Sequence, residues 1–302
     1  MRTYLCGMLL LFTITLFSQK SPDGILRQAD SLFAEGDYAS AAPLYEQLQA
    51  AFRQKSASNQ YLAVTIQLAV CQQQNNDYPL SKTVLRQVIT AAPQATDSLL
   101  ALAHHKLGVA HYYLDDYPDA VAQFDTALQI RQRIFPETHP DIIKGLHNIG
   151  DSYQLAGQYD RALEYLQSSL RLHQQAPERA LEQLARTYRV LGTTYDQMGN
   201  VQQAEQYLFA GLQYYEQLYA EEPWNLAGIY LDLAVFYLQQ RRGQAVVQYA
   251  QQARAQFDQI ADADKYDEDW IGLAKAYNNE ALGYELQKSY NQAIESYTRA
   301  LQ

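Results

Sequence analysis

Residues 146–162, which read LHNIGDSYQLAGQYDRA, decide the fold of this chain. Apolar side chains three and four residues apart predict two amphipathic helices, one on each side of a short reversal. Gly157, two residues before Tyr159, predicts that reversal because glycine adopts backbone angles that other residues avoid. The small residues Gly150 and Ala162 predict a close approach of the two helices. The stretch therefore predicts an antiparallel helix pair.

The same order of residues recurs along the chain, and its spacing sets the length of a repeat. Leu107-Gly108 and Leu191-Gly192 reproduce the small-residue motif of the first helix. The turn tyrosine falls at positions 38, 78, 117 and 159, with Val201 next, so the steps are 40, 39, 42 and 42. A single helix pair of this size cannot bury its apolar face alone, so it must stack on its neighbours.

We expect seven such helix pairs in one repeat domain, residues 20–302. Their approximate ranges are 23–50, 62–93, 101–134, 143–175, 185–219, 227–257 and 274–302. Repeats one, two, six and seven depart from the pattern in places, and in repeat two Ser81 replaces the usual Ala. The sixth is predicted to be one residue shorter, with Gly243 at its turn and Ala245 in the place of Ala162. The seventh has Glu280 where an apolar residue is expected.

These motifs resemble the tetratricopeptide repeat (TPR) family. Leu-Gly-x-x-Tyr followed by Ala, an aromatic residue or Leu, and Ala matches its pattern. The 42-residue step and the connector Glu137-Thr-His-Pro-Asp141 are similar to the longer repeats of kinesin light chains and their bacterial relatives. The resemblance covers residues 23–302. It implies an all-α, right-handed superhelical solenoid whose concave groove takes an extended peptide or a helix.

The composition excludes several function classes. The chain has 302 residues, with 23 basic and 33 acidic side chains and a formal net charge of −10. A general nucleic-acid binder needs a basic surface to neutralise phosphate, which this balance does not offer. With 48% apolar residues the chain can bury a large core, so global disorder is excluded. We therefore expect no nucleic-acid partner, and the resemblance to the repeat family implies a protein or peptide partner.

The first nineteen residues have the order of a secretory signal peptide. Arg2 precedes an apolar run from Tyr4 to Phe17, and Ser18 returns to polar sequence. A membrane-spanning helix needs roughly 20 apolar residues, so an uncleaved anchor is the second interpretation and a buried first helix the third. We expect residues 1–19 to be removed and the protein to be exported to a bacterial periplasm or the cell surface. Membrane attachment is expected only if this segment is not cleaved.

No motif of catalysis or cofactor binding stands out. The chain lacks His-Glu-x-x-His, a glycine-rich phosphate loop, Gly-x-Ser-x-Gly and Cys-x-x-Cys. His104 and His111 share one face of a predicted helix, but a metal site requires at least one more ligand. We expect packing roles for both histidines. The sequence predicts no enzymatic activity, no metal site and no cofactor.

Helical phase predicts which side chains face the concave groove. The first helices of repeats three, four, five and seven contribute Tyr112, Tyr113, Lys144, His147, Asn148, Arg186, Arg189, Asn278 and Asn279. Lys144, Arg186 and Arg189 form a candidate basic strip, and the Asn amides offer both a donor and an acceptor to a peptide backbone. The competing interpretation is that the charges are solvated or paired with Asp151, Asp196 or Asp232.

Two functions are consistent with these patterns. The first is a non-enzymatic scaffold that binds a protein or peptide partner in the groove. The alternative is an N-terminal sensory or regulatory segment of a longer exported protein, with an effector such as a caspase-like (CHAT) domain or a histidine kinase. The resemblance to exported bacterial repeat proteins implies the alternative. The lack of the polar capping helix that solenoids normally have, after repeat seven ends at Gln302, supports this alternative.

Overall fold

The computed structural model describes residues 21–53, 58–91, 96–176, 180–219, 223–260 and 267–301. The predicted signal peptide, residues 1–19, lies outside them. Within these ranges the chain forms fourteen α-helices and no β-strand. None of the helices in this part of the chain is both long enough and apolar enough to cross a membrane. The predicted all-α architecture is confirmed.

The helices follow one another in seven antiparallel pairs. The first four pairs are α1 (Pro22–Ala34) with α2 (Tyr38–Phe52), α3 (Asn59–Gln74) with α4 (Tyr78–Ala91), α5 (Asp97–Tyr113) with α6 (Tyr117–Ile134), and α7 (Pro140–Leu155) with α8 (Tyr159–Gln175). The last three are α9 (Leu181–Gln197) with α10 (Val201–Leu218), α11 (Pro223–Gln239) with α12 (Gly243–Phe257), and α13 (Asp267–Leu286) with α14 (Tyr290–Ala300).

The two helices of every pair are joined by three residues, and the middle one has a left-handed backbone. This residue is Gly36, Asn76, Asp115, Gly157, Gly199, Arg241 or Lys288. Its φ is 73° at Gly157 and 55° at Arg241. Glycine reaches these angles without steric penalty, whereas a side chain disfavours them. The predicted reversal at Gly157 is confirmed.

The turn of repeat six has the same length as the turns of the other pairs, so the prediction that this repeat is one residue shorter is wrong. Gly243 is the first residue of α12, the position that Tyr159 holds in α8. Val246, which is fully buried, takes the place expected for Ala245. Glycine is required at position 243 because a Cβ atom there would lie 2.8 Å from the carbonyl oxygen of Gly283 in α13. The glycine marks a close approach of two helices, and the turn conformation belongs to Arg241.

Small residues allow the two helices of a pair to approach closely. A Cβ atom at Gly150 would lie 2.6 Å from Cγ of Leu166 and 3.2 Å from the carbonyl oxygen of Ala162. A Cβ atom at Gly192 would lie 2.7 Å from Cγ of Leu208 and 2.9 Å from its backbone nitrogen. The close approach predicted from Gly150 and Ala162 is therefore confirmed, and it recurs one repeat later.

Successive pairs stack so that the odd-numbered helices share one face. Each second helix packs on the first helix of the next pair, from α2 on α3 through to α12 on α13. In addition, α3 contacts α5, α7 contacts α9, α9 contacts α11, and α11 contacts α13. The hydroxyl of Tyr112 in α5 donates to Oδ2 of Asp151 in α7 at 2.9 Å. Helices α3, α5, α7 and α9 therefore form one wall of a helix-pair solenoid, as predicted.

Repeat seven buries a charge at the position where an apolar residue is expected. Glu280 of α13 is only 3% exposed. Its Oε2 accepts a hydrogen bond from Nη1 of Arg254 at 2.9 Å, and its Oε1 accepts one from Nε2 of Gln251 at 2.7 Å. Both donors lie on α12. The carboxylate is therefore paired, and it ties α13 to the preceding helix by polar contacts.

Candidate partner-binding groove

A cavity of about 590 Å³ runs along the wall formed by α3, α5, α7 and α9, and we call it the concave groove. Four successive first helices line it, with residues that include Gln73, Gln74, Lys106, Tyr113, Lys144, Asn148, Gln183 and Arg186. An extended peptide presents one backbone donor and one backbone acceptor at almost every residue. Amide side chains can satisfy both kinds of group, so the composition of these walls suits a bound peptide.

Six of the nine predicted binding residues line the groove: Tyr112, Tyr113, Lys144, His147, Asn148 and Arg186. Arg189 is not among the lining residues, and its Nε donates to Oδ2 of Asp232 in α11. The charge of Asp232 raises the pKa of Arg189 above its usual range. Asn278 and Asn279 lie on α13, away from the groove, and Asn279 is buried.

Tyrosines form the wall of the groove nearest the N-terminus. The rings of Tyr78 and Tyr113 stack with their centroids 4.5 Å apart and their planes 14° apart. Tyr113 is 58% exposed, so one face of this stacked pair is open to a ligand. Tyr112 packs edge-on against Tyr113 at 5.4 Å and holds Asp151 through its hydroxyl. The groove therefore offers an ordered aromatic surface beside its polar one.

Two lysines lie close together in the groove without a carboxylate partner. Lys106 is half-buried, and burial, followed by the charges of Lys144 and Arg131, lowers its pKa. Lys144 is exposed. Among the described residues, neither ammonium group forms an ion pair. The groove also has three carboxylates among its lining residues, those of Asp141, Asp151 and Glu182, so it presents charges of both signs.

Arg131 of α6 is buried close to these lysines. It is 4% exposed, and its Nη1 donates to the carbonyl oxygen of Asp141 at 3.3 Å and lies 3.5 Å from Nδ1 of His105. Because a guanidinium has only donors, Nδ1 of His105 is the acceptor and its proton is assigned to Nε2. Burial and the charges of Arg131 and Lys144 lower the pKa of His105 well below its usual range. The ring is therefore neutral.

A second imidazole lies one repeat further along the groove. Nδ1 of His147 lies 3.0 Å from Oγ1 of Thr187, whose hydroxyl donates to the carbonyl oxygen of Gln183 at 2.8 Å. The hydroxyl has one proton, so Nδ1 of His147 is assigned as the donor. Burial, followed by the charges of Arg186, His173 and Lys144, lowers the pKa of His147 to about 3. This imidazole is also neutral.

His173 of α8 lines the groove and is only 1% exposed. Neither of its ring nitrogens has a hydrogen-bond partner within the described ranges, and the same holds for Nε2 of Gln183. Burial lowers the pKa of His173. Buried polar atoms are rarely left unpaired, so water or a group of a bound ligand is the expected partner of these two side chains.

One cluster outside the groove has the composition of a metal site. His111, Asp116 and Asp119 present ligand-type atoms within 4.8 Å of one another. Nζ of Lys82 lies 3.8 Å from Oδ2 of Asp116, and Nη2 of Arg86 lies 3.8 Å from Oδ2 of Asp119. These side chains already supply positive charge, so the cluster is an ion-pair network between α4 and α6. His104 is not part of it, since its Nδ1 lies 2.8 Å from Oε1 of Gln123.

Four residues of the groove region were missed by sequence reasoning: Lys106, Arg131, His173 and Gln183. Helical phase predicts only the side chains on the exposed face of each first helix. Arg131 and His173 lie instead in the last turns of the second helices α6 and α8. The repeat step could have indicated their common role, because Arg131 and His173 lie one repeat apart and so hold equivalent positions. Lys106 lies seven residues, about two helical turns, before the predicted groove residue Tyr113, so the two share a face of α5.

Comparison with known structures finds similar folds at low sequence identity. RapI in its apo form has a TM-score of 0.72 at 13% identity, covering 93% of this chain and 96% of that one. A Rap protein complexed with Competence and Sporulation Factor has a TM-score of 0.65 at 14% identity, covering 93% and 75%. A kinesin light chain protein of Podosopora anserina with nearly identical TPR-like repeats has a TM-score of 0.55 at 22% identity, covering 66% and 98%. These likenesses establish the fold alone.

Family models give a direct assignment. One model of the tetratricopeptide repeat matches residues 99–175 and again residues 141–217, and a second model of the same repeat matches residues 32–107. Together they span the chain from the first helix pair to the fifth. No curated protein matches the chain. The chain belongs to the tetratricopeptide repeat family.

Proposed function

We propose that this protein is a non-enzymatic scaffold that binds a protein or peptide segment in the concave groove. One observation carries the proposal: four successive first helices line a single cavity of about 590 Å³. Helices pack roughly 8–10 Å apart, so a groove along four of them accepts about ten residues of extended chain at roughly 3.3 Å each. That length suits a peptide segment better than a small metabolite.

The comparisons support this proposal at the level of the fold. The tetratricopeptide repeat is generally a non-catalytic scaffold, and one neighbour of similar fold was solved in complex with Competence and Sporulation Factor. Identities near 14% carry no information on which partner is bound. The chemistry of the partner must therefore be inferred from the residues that line this groove.

Selection from a display library of random peptides about 12 residues long, which span roughly 40 Å when extended, tests the proposal. We expect selected peptides to lose about tenfold in affinity for the Tyr113→Ala variant, because exposed aromatic residues dominate such interfaces. Tyr290→Ala is a matched control, since Tyr290 is 62% exposed on α14, outside the groove. Failure to select any peptide, or equal loss in both variants, would refute the proposal.

We also propose that the protein is exported to a bacterial periplasm or the cell surface. The proposal rests on the basic, apolar and polar order of residues 1–19. Fractionation of the producing cells and mass spectrometry of the mature N-terminus test it. A mature protein that keeps Met1 and stays in the cytoplasmic fraction would contradict export.

A second candidate function is a sensory or regulatory segment of a longer exported protein. It is supported by Ile294 of α14, which is 63% exposed, whereas Leu163 at the matching position of α8 is half-buried. A further packed element would cover Ile294. The nucleotide sequence downstream of codon 302 tests this second function. A stop codon directly after that codon would refute it.

A further inference from the structure

In pair five, a tyrosine of the second helix packs against two tyrosines of the first helix. The ring of Tyr207 stacks on Tyr195 with centroids 5.4 Å apart and planes 3° apart, and it lies 6.1 Å from Tyr188. In pair six the two corresponding distances are 5.5 Å and 6.4 Å. The matching tyrosines of pair six are Tyr249, Tyr237 and Tyr230.

Pair seven keeps two of these three rings and lacks the third. Tyr277 and Tyr284 lie nine and two residues before the last residue of α13, as Tyr230 and Tyr237 do in α11. The third position, six residues after the first residue of the second helix, holds Ser296 in α14. Ser296 is 6% exposed. Tyr277, Tyr284 and Ser296 line a cavity of about 450 Å³, which we call the pair-seven cleft.

The pair-seven cleft is separate from the concave groove. The second helices α12 and α14 form its sides and the first helix α13 forms its floor, whereas the groove runs along α3, α5, α7 and α9. Within the described ranges, the two cavities share no lining residue. Small-molecule sites in proteins have volumes of roughly 300–1,000 Å³. The cleft therefore has the size of a second binding site.

The polar groups on the floor of the cleft are held in place by the protein itself. Glu280 accepts hydrogen bonds from Arg254 and Gln251. Nε2 of Gln251 also donates to the hydroxyl oxygen of Tyr284 at 3.1 Å. The carboxylate needs no ligand to neutralise it, and one tyrosine wall is fixed before any ligand binds.

A cation also lies against the other tyrosine wall. Cζ of Arg254 is 5.3 Å from the ring centroid of Tyr277. In pair four, Cζ of Arg161 is 5.6 Å from the ring centroid of Tyr153, and the ring of Tyr165 contacts the same tyrosine at 5.7 Å. A guanidinium on one of these tyrosines is therefore compatible with a second ring packed against it.

The charges along the cleft do not select a charged ligand. The lining contains both signs, with the carboxylates of Asp258, Glu280 and Glu295 and the guanidinium groups of Arg254 and Arg299. An aromatic ring gains from stacking on other rings beyond the area that it buries. A phenol hydroxyl both donates and accepts, so it can bond to a charged group of either sign. Ring stacking is therefore the feature by which this cleft can discriminate.

We propose that the pair-seven cleft binds a small molecule with a phenol ring, and that this ring takes the place that Tyr207 and Tyr249 hold in pairs five and six. The ring stacks on Tyr284, as Tyr249 stacks on Tyr237. This site is independent of the function proposed for the concave groove, because other helices form it.

A pair of matched probes tests the chemistry. Ligand-observed NMR titrations of the protein compare 4-methylphenol, which is the tyrosine side chain as a free molecule, with 4-methylcyclohexanol, which has a similar size but no aromatic ring. We expect 4-methylphenol to bind about tenfold more tightly, because only it can stack on the tyrosine walls. Equal affinities would refute the proposal. Binding of N-acetyl-tyrosine amide without binding of 4-methylphenol would overturn a small-molecule ligand in favour of a tyrosine of a partner protein.

Ser296→Tyr supplies the missing ring from the protein itself. We expect this variant to lose at least about tenfold in affinity for 4-methylphenol, while the midpoint of thermal unfolding stays unchanged or rises. Thr298→Tyr is the matched control, because Thr298 is exposed on the same helix and does not line the cleft. This variant should bind 4-methylphenol as the unaltered protein does. Unchanged affinity in Ser296→Tyr, or an equal loss in Thr298→Tyr, would refute binding in the cleft.

Tyr284→Leu tests the cleft without filling it. The substitution removes the stacking ring but keeps an apolar side chain, so affinity for 4-methylphenol should fall about tenfold. The far-ultraviolet circular dichroism spectrum should stay that of the unaltered protein. A folded Tyr284→Leu variant with unchanged affinity would overturn the role of the tyrosine wall.

Discussion

Substituting Gly192 by alanine should destabilise the protein, although alanine is the better helix former. The added Cβ would lie 2.7 Å from Cγ of Leu208 and 2.9 Å from its backbone nitrogen. The Leu208 side chain could rotate away, but its backbone cannot move without shifting α10. Overpacking of this kind costs about 1–3 kcal/mol, and the gain in helix propensity offsets about 1 kcal/mol. We expect a net loss of up to about 2 kcal/mol.

Gly228→Ala is the matched control, because its effect should have the opposite sign. A Cβ atom at Gly228 of α11 would meet only the guanidinium of Arg189, with Cζ at 3.8 Å, which is an ordinary contact. Only the propensity gain remains, so this variant should be stabilised by about 1 kcal/mol. Urea unfolding of both variants, followed by far-ultraviolet circular dichroism, measures the difference. If Gly192→Ala proved as stable as Gly228→Ala, the close approach of α9 and α10 would be refuted.

Two further predictions concern buried charges. Glu280→Ala should destabilise the protein by about 2–4 kcal/mol in urea unfolding, because Arg254 loses the carboxylate that it binds at 2.9 Å. A loss of stability below about 0.5 kcal/mol would show that the ion pair is dispensable. Burial and the charge of Asp232 raise the pKa of Asp196 to about 6, above its unfolded value, so the folded state binds the extra proton. Stability should therefore fall as pH rises from about 4 to 6. Asp196→Asn should remove this slope, and an unchanged slope in that variant would contradict the assignment.

The fold could be predicted from the sequence because its signals are local. Gly150, Gly157 and Ala162 each occupy a position that accepts only a small or conformationally free residue, and the same positions return one repeat later. Repeat six shows where such reasoning fails. A glycine allows both a left-handed turn and a close helix contact, and the sequence does not distinguish them at Gly243. The difference depends on the carbonyl oxygen of Gly283, which belongs to the next helix pair.

The groove was only partly predictable for a related reason. Helical phase placed Lys144 and Arg186 on the exposed side of their helices, and both line the cavity. Phase left open whether Arg189 faces a ligand or pairs with Asp232, and the structure shows the pair. Helical phase also could not show that His173, from a second helix, lines the same cavity, or that Arg131 is buried against His105 and Asp141. These facts depend on how one pair is placed against the next.

The left-handed turn residues also determine where the array opens first. Pairs one, four and five have glycine at this position, whereas pairs six and seven have Arg241 and Lys288, with φ of 55° and 61°. A side chain at such a position costs roughly 1–2 kcal/mol that glycine does not. In a quasi-linear array each pair is supported only by its neighbours, so fraying begins at the C-terminal pairs. Amide hydrogen exchange should therefore be fastest there and slowest around Gly157, in the repeats whose first helices form the concave groove that a partner would need to find already formed.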